Sequence, residues 1–593
     1  MKQFFKMFFA SILAMVVLGV IIFALIVGVI AGLASSSKDD ERKIADNSVL
    51  VVDMDKTIHE LGEENPFAVF GGDNSYSPGL YSIIKSIKSA KTDDNINGIY
   101  IKVSNTPNGW ATLQQLRLAL LDFKSSHKFI YAYGEVIPQK SYYLATAADS
   151  IFINPVGATE INGLVSQIPF FKGTLEKLDV QPEIFYAGKF KSATEPFRAE
   201  KISEPNKVQI QALQADIWNE FTNAVAKHAK VTPRVVNSWA LTGVIQFPAD
   251  ALRLHVVDEL AYLDQVESLI RKRTGRKEDE KINYVALDEY AKEVRRNREI
   301  SDSRIAILFA EGEISDGSSN NSYQIASEDF VEQIRKIRKN DKIKAVVLRV
   351  NSPGGSALAS EVILRELQLL RAKKPLIVSM GDVAASGGYY ISCQADSVFA
   401  MPNTITGSIG VFTMLFNAEG LLKNKLGITF DEVKNAPYAD FPTVVRPLSS
   451  LESQRMQTSV DTIYNIFKRR VAVGRRISEA FVDSIAQGRV WSGTDALGIG
   501  LIDGLGGLDR AIYSAAKKAN ISKYQIVSYP EPVDKFEVIL RRLKKGNMSS
   551  TALKAALEEE MKATDYSWLH DIKSLMRMNG RAQMALPFRV EIK

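Results

Sequence analysis

With 593 residues, 46% of them hydrophobic and 24% charged, the chain is too long for one domain and apolar enough to fold, so two core domains with accessory segments are expected. Its 74 basic and 68 acidic side chains leave a formal net charge of +6, a mild bias rather than a concentrated polyphosphate-binding field, so no nucleic-acid partner is indicated. The single cysteine, Cys393, excludes an internal disulfide framework and a multi-cysteine metal site; it reads as a packed core thiol, and no cofactor is expected.

Met7 to Leu33 is a run of 27 residues without a charge, in which Ser11 is the sole hydroxylated side chain. At roughly 1.5 Å per residue, a helix of that length exceeds the approximately 30 Å hydrocarbon core and can span it with tilt. It is too long for a signal-peptide core, and Ala34-Ser-Ser-Ser37 is a poor cleavage site. Residues 1–37 are therefore read as a cytoplasmic tip and a retained transmembrane signal anchor. Lys2 and Lys6 favour a cytoplasmic start, although Lys38, Arg42 and Lys43 on the far side nearly balance them.

Beyond a short polar linker, Ser48-Val-Leu-Val-Val-Asp53 opens a first α/β pattern. Ile99 to Val103 follows as a strand, Thr112 to Ser125 as an amphipathic helix and Phe129 to Tyr133 as a further strand. A second pattern repeats the order with Ser303 to Phe309, Val346 to Val350, Ala357 to Ala372 and Pro375 to Met380. Strand, turn, helix, strand is the signature of a right-handed βαβ crossover, so each pattern is expected to build a largely parallel sheet. The division that follows is a first copy over 48–270, a charged, helix-prone connector over 271–302, a second copy over 303–530 and a C-terminal arm over 531–593. The arm ends in a strand-like tail, Met584 to Ile592, which reads as a packing arm or as an occupant of a groove.

The two patterns are copies of one another. Gly381 answers Gly134, Tyr389 answers Tyr142, Asp396 answers Asp149 and Pro402 answers Pro155, so the offset (381 − 134, 389 − 142, 396 − 149, 402 − 155) is 247 throughout. A closing pattern, Ala251 to Asp258 and Ala496 to Asp503, returns at an offset of 245 (496 − 251). Where the second copy has Ser386 the first has Gln139. One copy thus keeps a potential nucleophile that the other lacks, and that asymmetry points to chemistry.

Two glycine turns of the second copy carry it. Asn351-Ser-Pro-Gly-Gly-Ser356 follows a strand and opens a helix, where outward-pointing N–H groups can hold an anion. Without the lysine of a phosphate-binding loop, a developing oxyanion is the preferred guest. Ala384-Ala-Ser-Gly-Gly388 places Ser386 before an apolar segment, where it serves as a nucleophile or simply caps a helix. The five histidines, His59, His127, His228, His255 and His570, leave the second copy with none between His255 and His570, which excludes a Ser-His-Asp triad confined to that domain. A desolvated lysine is the remaining common base. Tyr186-Ala-Gly-Lys-Phe-Lys191-Ser-Ala-Thr-Glu-Pro196 sets two lysines among small and aromatic residues, but isolated lysines usually sit on solvated surfaces.

Asn351-Ser-Pro-Gly-Gly355, Gly381-Asp-Val-Ala-Ala-Ser-Gly-Gly388, Phe190-Lys-Ser-Ala-Thr-Glu-Pro196 and Gly488-Arg-Val-Trp-Ser-Gly493 together resemble the bacterial signal peptide peptidase A (protease IV) family in its long two-copy form. The resemblance spans nearly the whole chain. It implies an α/β fold that is a tandem duplication of a Clp-protease/crotonase-like domain with an N-terminal transmembrane helix. It further implies Ser386 as nucleophile, Lys191 from the degenerate copy as general base, and the backbone N–H groups of Gly355 and Gly387 as oxyanion donors. Signal-peptide remnants as substrates, a homo-oligomer such as a tetramer, and a single-pass place in a bacterial inner membrane with the catalytic part on the periplasmic side belong to the same implication. Two other classes stay open on the residues alone: a crotonase-like acyl-CoA enzyme and an inactive membrane scaffold.

Overall fold

The computed structural model describes residues 44–64, 76–296, 301–319, 323–530 and 582–585, with part of 6–21. Much of the apolar run from Met7 to Leu33 and most of the C-terminal arm lie outside the described residues. Among the described residues no helix is long and apolar enough to cross a membrane.

The first copy runs β1 (Ser48–Asp53), α1 (Leu80–Ala90), β2 (Ile96–Lys102), α2 (Trp110–Lys124), β3 (Phe129–Ile137), α3 (Gln139–Ala145), β4 (Ser150–Thr159), β5 (Gln181–Ala187), α4 (Glu204–Ala229), β6 (Glu259–Leu260) and β7 (Asn283–Ala286). Its sheet has the order β6-β4-β3-β2-β1-β7 with every pair parallel. The continuous aliphatic runs of β1 and β2 fit such a sheet, because crossover helices cover it. Leu80, Ile83 and Ile87 of α1 and Leu113, Leu116 and Leu120 of α2 join Leu50, Ile99 and Ile101 in one core.

The second copy runs β8 (Arg304–Glu311), β9 (Glu313–Ser315), β10 (Gln324–Ala326), β11 (Ile343–Ser352), β12 (Gly354–Ser356), α5 (Ala357–Arg371), β13 (Leu376–Ala385), α6 (Gly387–Ser392), β14 (Ser397–Ala400), β15 (Ile405–Gly407), β16 (Val411–Asn417), α7 (Ser450–Arg475), β17 (Val490–Ser492), β18 (Gly504–Leu505) and β19 (Gln525–Tyr529). Its main sheet has the path β17-β15-β13-β11-β8-β19, and β14 and β18 branch from β13. The order β18-β14-β13-β11-β8-β19 repeats that of the first, while the antiparallel edge strand β17 is added. The segment expected as a connector is partly built into the first copy. Asn283 to Ala286 pair with Ser48 to Val51 as an edge strand, just as β19 pairs with β8. The charges around this four-residue strand hide it from composition.

A third sheet joins the halves. Its order is β10-β9-β12-β20-β16-β5, where β20 is Gln583–Ala585. Strand β5 thus belongs to the first copy in sequence and lies antiparallel to β16 of the second, Ala187 opposite Val411. Two polar contacts fix the copies further. The buried carboxylate of Glu60 accepts from Arg349 Nε and Nη2 at 2.8 and 3.0 Å. Asp382 accepts from Thr112 N and Oγ1 at 2.9 and 2.6 Å, at the start of α2.

Candidate active site

Strand β13 runs five residues past the expected Met380 and ends at Ala385, directly before Ser386. Ser386 has φ +53° and ψ −114°, a strained conformation for a residue with a side chain. Its N–H donates to Gly407 O at 2.8 Å. The turn tolerates no bulk, since a Cβ at Gly387 would stand 2.7 Å from Ser360 Oγ and one at Gly388 would stand 2.7 Å from Ser352 O. Ser386 makes no side-chain capping bond to α6, so its hydroxyl is not held as a helix cap.

Its partner arrives from the first copy. After β5 the chain turns at Gly188, φ +104°, and Phe190 N donates to Gln487 O at 2.8 Å. Gly488 lies against the backbone here; a Cβ on it would stand 2.6 Å from Lys191 Cβ. Lys189 is exposed, whereas Lys191 is only 1% exposed. Lys191 Nζ lies 2.9 Å from Ser386 Oγ, 3.1 Å from Ser408 Oγ and 3.4 Å from Ser408 O. Desolvation by burial pulls its pKa down to about 7, because a dry site disfavours the ammonium form. Glu195 is buried four residues on, but its carboxylate is engaged by Ser203 Oγ and by Asn206 Nδ2 at 2.8 Å.

The other glycine turn completes the cradle. Gly354 and Gly355 have φ of +97° and +153°, and a Cβ on Gly355 would meet Ile314 O at 2.0 Å. A Cβ on Gly354 would stand 2.6 Å from Gly387 N, so a side chain there would cover that N–H. The space is taken by the C-terminal strand. In β20, Met584 lies opposite Gly355, and Gln583 opposite both Ser356 and Phe412. Met584 O would be 1.9 Å from a Cβ on Gly354 and 3.1 Å from one on Gly387, and the Met584 side chain is buried.

Ser386, Lys191, Gly355 and Gly387, picked out in the sequence, are thus brought together within one chain. Sequence reasoning missed Ser408, which replaces Ile161 at the same offset of 247 (408 − 161); the copy comparison that marked Ser386 marks it too. None of the described histidines hydrogen-bonds Ser386: His59 Nδ1 faces Glu311 at 3.1 Å and His228 Nε2 faces Asp258 at 3.5 Å. Cys393 is a buried thiol whose pKa burial pushes up to about 12.

The profile of peptidase family S49 matches residues 122–277 and 368–522. The chain belongs to peptidase family S49. The two matches begin 246 residues apart (368 − 122), so the family domain occurs twice, and the profile of the Clp protease family matches residues 296–406. Among curated proteins, Protease 4 of Salmonella typhi is 34% identical over 84% of this chain and 81% of its own length. The chloroplastic serine protease SPPA of Arabidopsis thaliana is 31% identical over 86% of this chain and 76% of its own. A solved ClpP1 mutant from Listeria monocytogenes aligns with 35% of this chain and 94% of its own at 15% identity, with a TM-score of 0.24. The S49 chain described here is a serine peptidase of mixed α/β fold.

Proposed function

We propose that this S49 peptidase is a membrane-anchored signal peptide peptidase working through a Ser386/Lys191 dyad. The observation that carries the reading is the 2.9 Å contact between Ser386 Oγ and a buried Nζ whose pKa lies near 7. Lys191 takes the hydroxyl proton as Ser386 Oγ adds to the scissile carbonyl, and the N–H groups of Gly355 and Gly387 receive the oxyanion. Lys191 returns the proton to the leaving amine, then draws one from the water that cleaves the acyl-enzyme and restores Ser386. An acyl-CoA enzyme on the same turns would have no use for the Ser–Lys contact, nor would a scaffold. Ser386→Ala and Lys191→Ala should each abolish peptidase turnover with the fold intact, and a fluorophosphonate probe should label Ser386 alone. Full turnover in Lys191→Ala would overturn the reading. Activity should rise with pH through about 7 as Nζ loses its proton.

The substrate is an extended peptide. Strand β20 lies between β12 and β16 with its Met584 carbonyl against Gly354 and Gly387, which supports a groove that binds peptide by strand addition and buries an apolar side chain beside the nucleophile. We read the tail as an internal competitor for that groove, so deleting 582–593 should raise kcat/KM for small apolar peptides; unchanged kinetics would make it a packing arm. The anchor over 1–37 would keep the enzyme at a bacterial inner membrane, where cleaved signal peptides accumulate. For the homo-oligomer, support comes from residues 164–170 and 428–434, which lie 247 residues from β16 and β5 (411 − 164, 428 − 181). β16 and β5 pair, yet neither counterpart forms a strand, and Val165, Phe430 and Val433 are exposed. We read these segments as the same pairing made between neighbouring chains, closing a ring such as a tetramer. Val165→Asp with Val433→Asp should disperse the assembly in light scattering, and an unchanged mass would dismiss this surface.

A further inference from the structure

Helix α4 approaches the Lys191 segment with two buried carboxamides, Asn206 and Gln209, and Gln209 is the one that reaches the residues beside the lysine. Gln209 Nε2 donates to Phe190 O at 3.2 Å, Ser192 Oγ at 3.1 Å and Asn206 Oδ1 at 2.8 Å. Its Oε1 accepts the Val490 N–H at 3.1 Å. The first two contacts fall on the residues flanking Lys191, and the last crosses into the second copy, onto β17. Val490 follows by two residues the glycine that lies against Lys191. One amide thus touches both sides of the lysine and the strand that backs it. We infer that Gln209 is a positioning residue for the peptidase reaction, tying the Lys191 segment of the first copy to β17 of the second so that the amine meets the Ser386 hydroxyl.

The inference rests on the reading of Lys191 as the base. The chemistry explains why a side-chain amide does this task. The Lys191 segment and β17 belong to different copies, and their facing backbone groups, Phe190 O and Val490 N, need a group that donates at one end and accepts at the other. A glutamine does both and adds no charge to the dry site, where a carboxylate would favour the ammonium form. Packing between α4 and β17 has other support. Leu213, Ile405 and Val490 form an apolar cluster, and Ser492 Oγ donates to Asp216. Losing the carboxamide should therefore misplace the lysine rather than unfold the interface.

The test uses the full chain in detergent, with turnover expressed per site titrated by the fluorophosphonate probe. Gln209→Ala should lower kcat by about tenfold or more with KM within about twofold, because only the geometry of proton transfer changes. Gln209→Glu keeps the shape and adds a buried negative charge; the acid limb of its kcat/KM profile should move up by about half a pH unit or more. A glutamine that only stabilised the fold would change the number of titratable sites and leave kcat per site and the acid limb alone. That outcome in both variants overturns the inference. Lys191→Ala measured alongside separates the two readings: surviving turnover removes the base itself, whereas an inactive Lys191→Ala with wild-type behaviour at position 209 removes only the positioning.

Discussion

Residues 134–155 and 381–402 are the same stretch of repeat, and the turns they build face opposite fates. In the first copy Gln139 closes its turn: Nε2 donates to Gly163 O at 2.8 Å, and Oε1 accepts from Asn162 N and Gly163 N at 2.9 and 3.1 Å. In the second, Ser386 turns its hydroxyl towards Lys191 Nζ, and Ser408 supplies further oxygens to that amine where Ile161 stands in the first copy. The losses are complementary. The stretch Ala436 to Thr443, which corresponds to the Lys191 region, holds no lysine, so each copy has discarded what the other provides. Under the proposed dyad, the degenerate repeat is half of a site rather than a relic.

Lys191→Met is the sharpest way to break that division. It should remove turnover and, at the same time, stabilise the fold. The folded-state pKa near 7 lies below the ordinary lysine value of 10.5, so in that window the unfolded chain binds the extra proton. The folding cost of the wild-type amine is full below about pH 7 and fades as pH rises towards 10.5. Thermal melts at pH 6 should show the variant more stable by up to roughly 4 to 5 kcal/mol, with the gap narrowing towards pH 10. A gap that does not depend on pH would mean that the amine is not desolvated.

A smaller effect is expected at Ser408. Ser408→Ala removes one oxygen from Nζ and should cost about tenfold in kcat, measured on a short peptide, with KM little changed. The smallest functional effect is expected from Gln139→Ser, which restores the lost hydroxyl to the first copy. No second fluorophosphonate label should appear, since the stretch 436–443 that corresponds to the Lys191 region holds no lysine to serve it; only a stability loss of about 1–3 kcal/mol should follow as the turn at Gly163 loses its partner. Labelling at that serine would mean that the first copy retains a base of its own.

These contrasts also sort what the amino acids disclose. The βαβ order was legible because aliphatic runs and glycine turns are local signals, and Ser386 was legible because a duplicated chain carries its own control. Lys191 was not distinguishable from a surface lysine by its neighbours, since what sets it apart is burial created by β5 crossing into the other half; only family resemblance singled it out. Ser408 could have been read from the Ile161 comparison. Gln209 could not, because no short-range pattern tells a helical glutamine that it will meet Val490 N, 281 positions away. The edge strand β7 was lost among charges for the same kind of reason: its partner β1 lies far upstream.

The buried pairing of Glu60 with Arg349 has an evolutionary corollary. Arg349 sits at the centre of the catalytic repeat, fully enclosed, and also donates to Ser379 Oγ and Met380 O at 2.8 and 2.7 Å. A shortened gene encoding the catalytic half alone would leave that guanidinium without its counter-ion, a loss of about 3–5 kcal/mol, before the missing amine is even considered. Such a truncation is penalised in folding as well as in chemistry, which gives selection two separate grounds for keeping the first copy attached.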